Sequence, residues 1–193
     1  MSDKMLKFVN LDLQTPNKRK VGTRLDDFKE IYDQFIHEKA KEQSSRCSQC
    51  GVPFCQIHCP VQNNIPDWLM LTAAGRLQEA YEISSATNNF PEICGRICPQ
   101  DLLCDGNCVI EKGFDSVTIG AVERYITDTA FTEGWVKATR PAVERSESVG
   151  IIGAGPGGLA AAAAESSAMA KPSSKVFQLP ACGVRFCSCL LYT

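Results

Sequence analysis

A mainly α-helical domain followed by the first βα unit of an incomplete Rossmann-like domain is the fold that this sequence predicts, and three patterns predict it. Two compact runs of four cysteines lie at 47–59 and 94–108, and apolar residues recur at helical spacing around them. A G-x-G-x-x-G turn at 153–158 stands between a short apolar run and an Ala-rich segment. Composition divides the chain into an N-terminal arm (1–23), a helical domain (24–139), a linker (140–148), the start of a dinucleotide fold (149–165) and a tail of different character (166–193).

The arm carries Pro16 and the basic run Lys18-Arg19-Lys20, and reads as extended and solvated. From Arg24 to Gln43, Leu25, Phe28, Ile31, Tyr32, Phe35 and Ile36 recur at spacings of three and four, which predicts one amphipathic helix over the cysteine-rich region, with His37 on its polar side. Asn64 before Ile65-Pro66 marks the next helix start, because a proline in the first turn forfeits no hydrogen bond. That helix runs from about Asp67 to Ala74 and stops at Gly75; another, from Arg76 to Ser85, gathers Leu77, Ala80, Tyr81 and Ile83 on one side. A further helix spans Val117 to about Glu133, and Trp68 and Trp135 read as core anchors. The linker contains Pro141 and four charged residues.

Composition limits the function. The hydrophobic fraction of 44% and charged fraction of 22% are those of a soluble globular protein, and a formal charge of −2 gives no electrostatic reason to bind nucleic acid or a membrane surface. The start of the chain holds no apolar stretch of signal-peptide length, and Val149 to Ala164 is broken by five glycines and a proline. A cytoplasmic protein is the expectation. In a reducing compartment, eleven cysteines argue for metal ligation or catalysis rather than for disulfides.

The first run reads Cys47-Ser-Gln-Cys50-Gly-Val-Pro-Phe-Cys55-Gln-Ile-His-Cys59-Pro60, and the second Cys94-Gly-Arg-Ile-Cys98-Pro99-Gln-Asp-Leu-Leu-Cys104-Asp-Gly-Asn-Cys108. Each supplies four thiolates over a short loop, with a proline after a ligand to turn the chain away and glycines at 51, 95 and 106 for close backbone approach. Two tetrahedral zinc ions are the competing reading. Zinc modules present their ligands as two short pairs, whereas a compact four-cysteine run ending in Cys-Pro is the habit of ferredoxins, so two [4Fe-4S] clusters are expected. In two-cluster ferredoxins the Cys before Pro serves the other cluster. That rule groups Cys59 with Cys98, Cys104 and Cys108, leaving Cys47, Cys50 and Cys55 short of a ligand and Cys94 as either that ligand or a spare. His58, between two ligands, reads as a solvated loop residue or as a hydrogen-bond donor to a cluster.

Residues 24 to about 165 resemble the start of the small subunit of NADPH-dependent glutamate synthase, a region shared with the N-terminal part of dihydropyrimidine dehydrogenase. The resemblance rests on both cysteine runs with their prolines, on Pro66-Asp67-Trp68-Leu69, on Val117-Thr118-Ile119-Gly120-Ala121-Val122-Glu123-Arg124-Tyr125-Ile126, and on the glycine turn. It implies that a side-chain oxygen completes the deficient cluster, a Gln in dihydropyrimidine dehydrogenase and Glu123 at the matching place here. It further implies that hydride passes from NADPH to FAD, and that two clusters carry single electrons to a separate large subunit making glutamate from glutamine and 2-oxoglutarate.

In the glycine turn, Gly153 permits the tight bend, Gly155 the approach of a pyrophosphate and Gly158 the packing of helix on strand, and in the family this turn binds FAD. No Asp or Glu follows Glu165, and about thirty-five residues cannot build a doubly wound sheet. FAD is therefore not expected to bind to this chain as it stands, and NADPH oxidation is not expected of it alone. The tail, with Cys182, Cys187 and Cys189, matches nothing in the family and reads as the product of truncation or a shifted frame. Other flavin–iron–sulfur reductases resembling dihydropyrimidine dehydrogenase, and a zinc-bound interaction module, are the alternatives. Replacing Cys98 by Ala is expected to lose one cluster and to lower stability, because a domain of this size relies on metal to offset chain entropy; iron analysis with thermal unfolding checks both.

Overall fold

The chain divides into two compact units, 1–137 and 138–193. The structure, a computed structural model, describes residues 5–27, 29–137 and 150–168. In the first unit a short 3₁₀ turn (Lys7–Val9) is followed by α1 (Val21–Asp26), α2 (His37–Ser44), α3 (Phe54–Ile57), α4 (Ile65–Ala74), α5 (Leu77–Ala86), α6 (Pro91–Ile97), α7 (Glu111–Phe114) and α8 (Ile119–Thr132). The second unit contributes α9 (Pro156–Ala168).

Helix α8 is the axis of the first unit and packs against α2, α4, α5 and α6. Its buried stripe is Ile119, Val122, Ile126 and Ala130, at spacings of three and four, so one face turns inward. Glu123 lies on that same face. Opposite it, α4 buries Ile65, Trp68, Leu69 and Leu71, begins with Pro66 in its first turn and ends at Gly75, whose φ of 80° is the left-handed cap that glycine adopts without strain. The Trp68 indole N–H donates to Asn63 Oδ1 at 2.9 Å, and Asn63 Nδ2 donates to the Ser84 carbonyl at 2.6 Å, tying α4 to α5. Trp68 is thus the core anchor expected of it, whereas Trp135 is half-buried and borders an open groove beside Arg76.

The single helix expected over 24–43 is two helices with an extended segment between them. Arg19 N–H donates to the Ile31 carbonyl at 2.8 Å and Asp33 N–H to the Asn17 carbonyl at 2.8 Å, an antiparallel bridge that holds the Tyr32 segment out of helical geometry. The Arg19 guanidinium clasps Asp27 at 2.6 Å and keeps that carboxyl down at about 2, below its ordinary range. Leu25, Ile31 and Ile36 stay exposed and only Phe35 is buried, so the apolar spacing reflects no continuous buried face. Phe28 lies outside the described residues.

The arm is exposed along most of its length but is tied to the domain at several points. Leu6 and Lys7 donate to the carbonyls of Cys47 and Ser45 at 3.3 and 3.0 Å, and Phe8 meets Phe114 edge-on. Gln43, fully buried, accepts from Gln14 N–H at 3.0 Å and donates to the Asp12 carbonyl at 3.2 Å. These bonds pair backbone polar groups of an irregular segment that would otherwise be left unmatched.

In the second unit the expected strand is not formed over the described residues 150–152, and Ile152 is 97% exposed. A strand needs a neighbour to pair with, and none stands beside it among the described residues. The turn itself is locally tight: Gly153 has φ 118°, and a Cβ on Gly158 would lie 2.3 Å from the Gly153 carbonyl oxygen. The linker over 140–148 and the three tail cysteines lie outside the described residues.

Two glycines set the distance between α8 and its neighbours. A Cβ on Gly95 would lie 2.8 Å from the Arg124 nitrogen and 3.0 Å from the Gly120 carbonyl oxygen, whereas a Cβ on Gly120 would meet the amide end of the Gln100 side chain. Gly95→Ala is expected to destabilise by about 2 kcal/mol, since two helix backbones must part. Gly120→Ala is expected to cost about 1 kcal/mol, because Gln100 swings aside and gives up its bond to the Cys94 carbonyl. Urea unfolding of the two variants checks the order.

Candidate functional site

Eight free thiols, those of Cys47, Cys50, Cys55, Cys59, Cys94, Cys98, Cys104 and Cys108, fall into two groups in the first unit. Cys47 and Cys55 sense the charges of each other, of Cys50 or of Cys108, so Cys108 stands with the first three cysteines of the first run. Cys94 and Cys98 sense Cys59, and Cys104 senses Cys98, so Cys59 stands with the first three cysteines of the second run. The runs therefore exchange their last members, both ways. The ferredoxin rule, which looks only at the cysteine preceding a proline, moves Cys59 in the same way but keeps Cys108 with Cys98 and Cys104, so the two groupings differ at Cys108.

Local backbone explains the first group. Gln49, at φ 52°, turns its own N–H and its side-chain amide onto Cys47 Sγ at 3.4 and 3.3 Å, and that amide also donates to the Pro66 carbonyl at 2.8 Å. Ser48 Oγ lies 2.9 Å from Cys50 Sγ. Such donors neutralise part of the negative charge that a ligating thiolate carries. Gly51, expected to permit close approach, meets nothing within 4 Å; Gly95 and Gly106 do. Next to Cys47, the buried Arg46 guanidinium donates to the Leu11 carbonyl at 2.9 Å, the Asp115 carbonyl at 3.2 Å and the carbonyls of Phe114 and Ser116, placing a positive charge that Cys108 senses.

The second group surrounds a cavity of about 100 Å³, walled by Cys59, Cys94, Cys98, Cys104, Trp68 and Glu123. A water needs only about 10–15 Å³ by this measure, so the space suits a larger inorganic body. Among the described residues no three His, Cys, Asp or Glu side chains converge as a single bare ion requires. The donor set, soft thiols spread around an apolar void, fits an iron–sulfur cluster better than zinc.

Burial drives the thiols upward: Cys47 to about 11, Cys55 to about 12 and Cys94 to about 11, with Cys98 and Cys104 raised as well. Thiols so placed carry protons until a cation takes over, and metal binding expels them. Glu123, 8% exposed, is pushed up to about 8 by burial, offset by a hydrogen bond from Asn88 Nδ2 at 3.3 Å. Its charge is sensed by Cys94, Cys98 and Cys104. Glu123 therefore belongs to the second group and not to the Cys47 group, where the sequence reading puts the missing ligand: the inward face of α8 lies against α6, which carries Cys94.

The family described as dihydropyrimidine dehydrogenase domain II, 4Fe-4S cluster, matches residues 24–135. The chain belongs to this family. The glutamate synthase [NADPH] small chain of Azospirillum brasilense is 64% identical over 162 residues, 83% of this chain and 34% of the relative. That of Escherichia coli is 47% identical over 162 residues, 84% and 34%, and that of Bacillus subtilis is 40% identical over 164 residues, 80% and 33%. The chain thus spans about a third of the length of these relatives. A 4Fe-4S domain and these relatives together support an electron-transfer role.

Within this 4Fe-4S family domain, several residues near the thiols escape sequence reasoning. Arg46 and Gln49 are ordinary polar residues in sequence, and only their adjacency to Cys47 hints at a part. Asp105, pushed up to about 7 by burial, accepts the Ile119 N–H at the start of α8 and a contact from the Cys104 thiol at 3.7 Å. Asn88 carries no motif. The ring bonds recorded for the two histidines go elsewhere than to thiols: His58 Nδ1 pairs with the Phe54 carbonyl at 2.9 Å, and His37 Nδ1 with the Tyr125 hydroxyl at 2.9 Å. Gly153, Gly155 and Gly158 form their turn in the second unit, and the described residues there include no sheet beside it. No helix among the described residues is long and apolar enough to cross a membrane.

Arg46→Ala strands the carbonyls of Leu11, Phe114 and Ser116 without a donor and is expected to cost about 3 kcal/mol, with Arg46→Lys recovering only part because one ammonium cannot span the guanidinium's fork. Chemical denaturation of both variants checks this.

Proposed function

We propose that this chain is the cluster-bearing part of an electron-transfer subunit of NADPH-dependent glutamate synthase, holding two [4Fe-4S] clusters on the route from NADPH and FAD to a large subunit that makes glutamate from glutamine and 2-oxoglutarate. The observation that carries the reading is the gathering of eight thiols into two groups within a domain whose family is described by its 4Fe-4S cluster. The 64% identity to a glutamate synthase small chain supports this reaction over others of the family. The family's description also favours a second reading, a module of a reductase resembling dihydropyrimidine dehydrogenase.

When bound, such clusters accept and release one electron at a time, which divides a hydride's electron pair into single steps. The chain's own residues supply the rest. Cys47, Cys50, Cys55 and Cys108 bind at the first site; Cys59, Cys98 and Cys104, with Glu123 or Cys94, bind at the second. Gln49 and Ser48 aim donors at the sulfurs of Cys47 and Cys50, and Arg46 adds positive charge nearby, all of which raise the potential of the first site. Trp68 and Ile65 wall the second cavity and keep water from it. Val52, with Phe54 and Ile57 of α3, exposed between Cys50 and Cys59, offers an apolar rim on which a partner that receives electrons can dock.

Anaerobic reconstitution followed by iron and acid-labile sulfide analysis tests this. Two clusters' worth of each is expected, and about half of it is lost in Cys50→Ala, Cys108→Ala or Cys98→Ala. The first two variants should erase the same electron paramagnetic resonance signal and Cys98→Ala the other. Protein without labile sulfide would overturn the function; Cys108→Ala and Cys98→Ala erasing one and the same signal would overturn the grouping.

A further inference from the structure

The second cavity offers five anionic donors, Cys59, Cys94, Cys98, Cys104 and Glu123, where a cubane takes four. We propose that Asn88 assigns the fourth position, holding the Glu123 carboxylate in ligating geometry and leaving Cys94 in reserve. The proposal rests on the reading of Cys59, Cys98 and Cys104 as cluster ligands and of Glu123 as their companion.

Asn88 is 5% exposed, in the turn between α5 and α6, and lines the cavity. The orientation of its amide is fixed from the backbone: Oδ1 accepts the Phe90 N–H at 3.0 Å, so Nδ2 faces the other way and donates to Glu123 Oε1 at 3.3 Å. Among the described residues no other side chain hydrogen-bonds that carboxylate. One oxygen is thereby pinned to the wall and the other is free to bind a metal, the arrangement by which an outer partner orients a ligating carboxylate. The main chain beneath it is steady, since Thr127 Oγ1 donates to the Glu123 carbonyl at 2.8 Å. Glu123 lines the same cavity as the four thiols of the group.

Cys94 is held from two sides. Its carbonyl accepts from Gln100 Nε2 at 3.0 Å, and the same Asn88 amide reaches its sulfur. An amide nitrogen has two hydrogens, enough to serve the carboxylate with one and the idle sulfur with the other. A short polar side chain between two competing ligands thus satisfies both and favours the one whose reach it fixes. Asn88 is a positioning residue: it acts through Glu123.

The test uses the whole chain reconstituted anaerobically with ⁵⁷Fe and sulfide, read by Mössbauer spectroscopy, iron content and the midpoint potential of the second site. The intact protein is expected to show one iron with an oxygen donor, and Cys94→Ala to leave that signature and the iron content unchanged. Asn88→Ala is expected to keep its iron but lose the oxygen signature as Cys94 takes the corner, with a negative shift in potential from the lost N–H donor. Asn88→Ala combined with Cys94→Ala should shed that iron. Retention of the oxygen signature in Asn88→Ala, or loss of iron in Cys94→Ala, overturns the proposal; the second outcome decides the matter even where Asn88→Ala fails to fold. An intact protein with sulfur-ligated irons alone, unaltered by Glu123→Ala, would instead show that the ligand reading underneath has failed.

Discussion

The close approach of α6 to α8 is the constraint on which the rest of the first unit depends. At Gly95 the α6 surface comes within van der Waals contact of the α8 backbone at Gly120 and Arg124, leaving no room for a side chain. Only at that separation do Cys94 and Glu123, one from each helix, face the same cavity. Around the outside, Arg96 of α6 pairs with Asp128 of α8 at 2.8 Å and with Glu30 at 2.6 Å, and Arg124 approaches both acids. These pairs are partly solvated and each adds little, so the helix contact, rather than the ion pairs, fixes the geometry.

A second organising feature is the row of polar side chains that binds irregular backbone to regular. Arg46 and Gln43, both fully buried, point their donors at carbonyls of the arm and of the 114–116 segment. Thr118 joins the same row, donating to the Gln14 carbonyl at 3.0 Å. In a domain with so few strands, these side chains do what a sheet ladder does elsewhere: they match main-chain groups that have no helical partner. Cys47 sits directly after Arg46, so the loop carrying the first thiols is anchored at its root.

Much of this arrangement was legible in the amino-acid sequence. The helices around Trp68, Ala80 and Val122 follow from periodicity, and Gly75 marks a helix end because its left-handed φ is one that other residues resist. The eight thiols follow from spacing. What could not be read depends on residues far apart in the chain. The bridge between Lys18 and Tyr32 overrides the helical spacing of Ile31 and Ile36, and the partnership of Cys108 with Cys47 needs the turn of the chain through α4, α5 and α6. Glu123 was recognisable by type, but which thiols it meets was not, since that is decided by the register of α8 on α6. Asn88 and Arg46 had no signal at all beyond being polar.

The tether between Gln14 and Thr118 joins residues 104 positions apart. Closing a loop of that length is entropically slow, and neither end gains anything until both exist. During synthesis the chain's beginning can meet Gln43, Ser45 and Cys47 early, but its bond to Thr118 must wait while the whole cysteine-bearing stretch leaves the ribosome. The clasp over the root of the first thiol loop is in this sense a late seal, shut from the end that was made first.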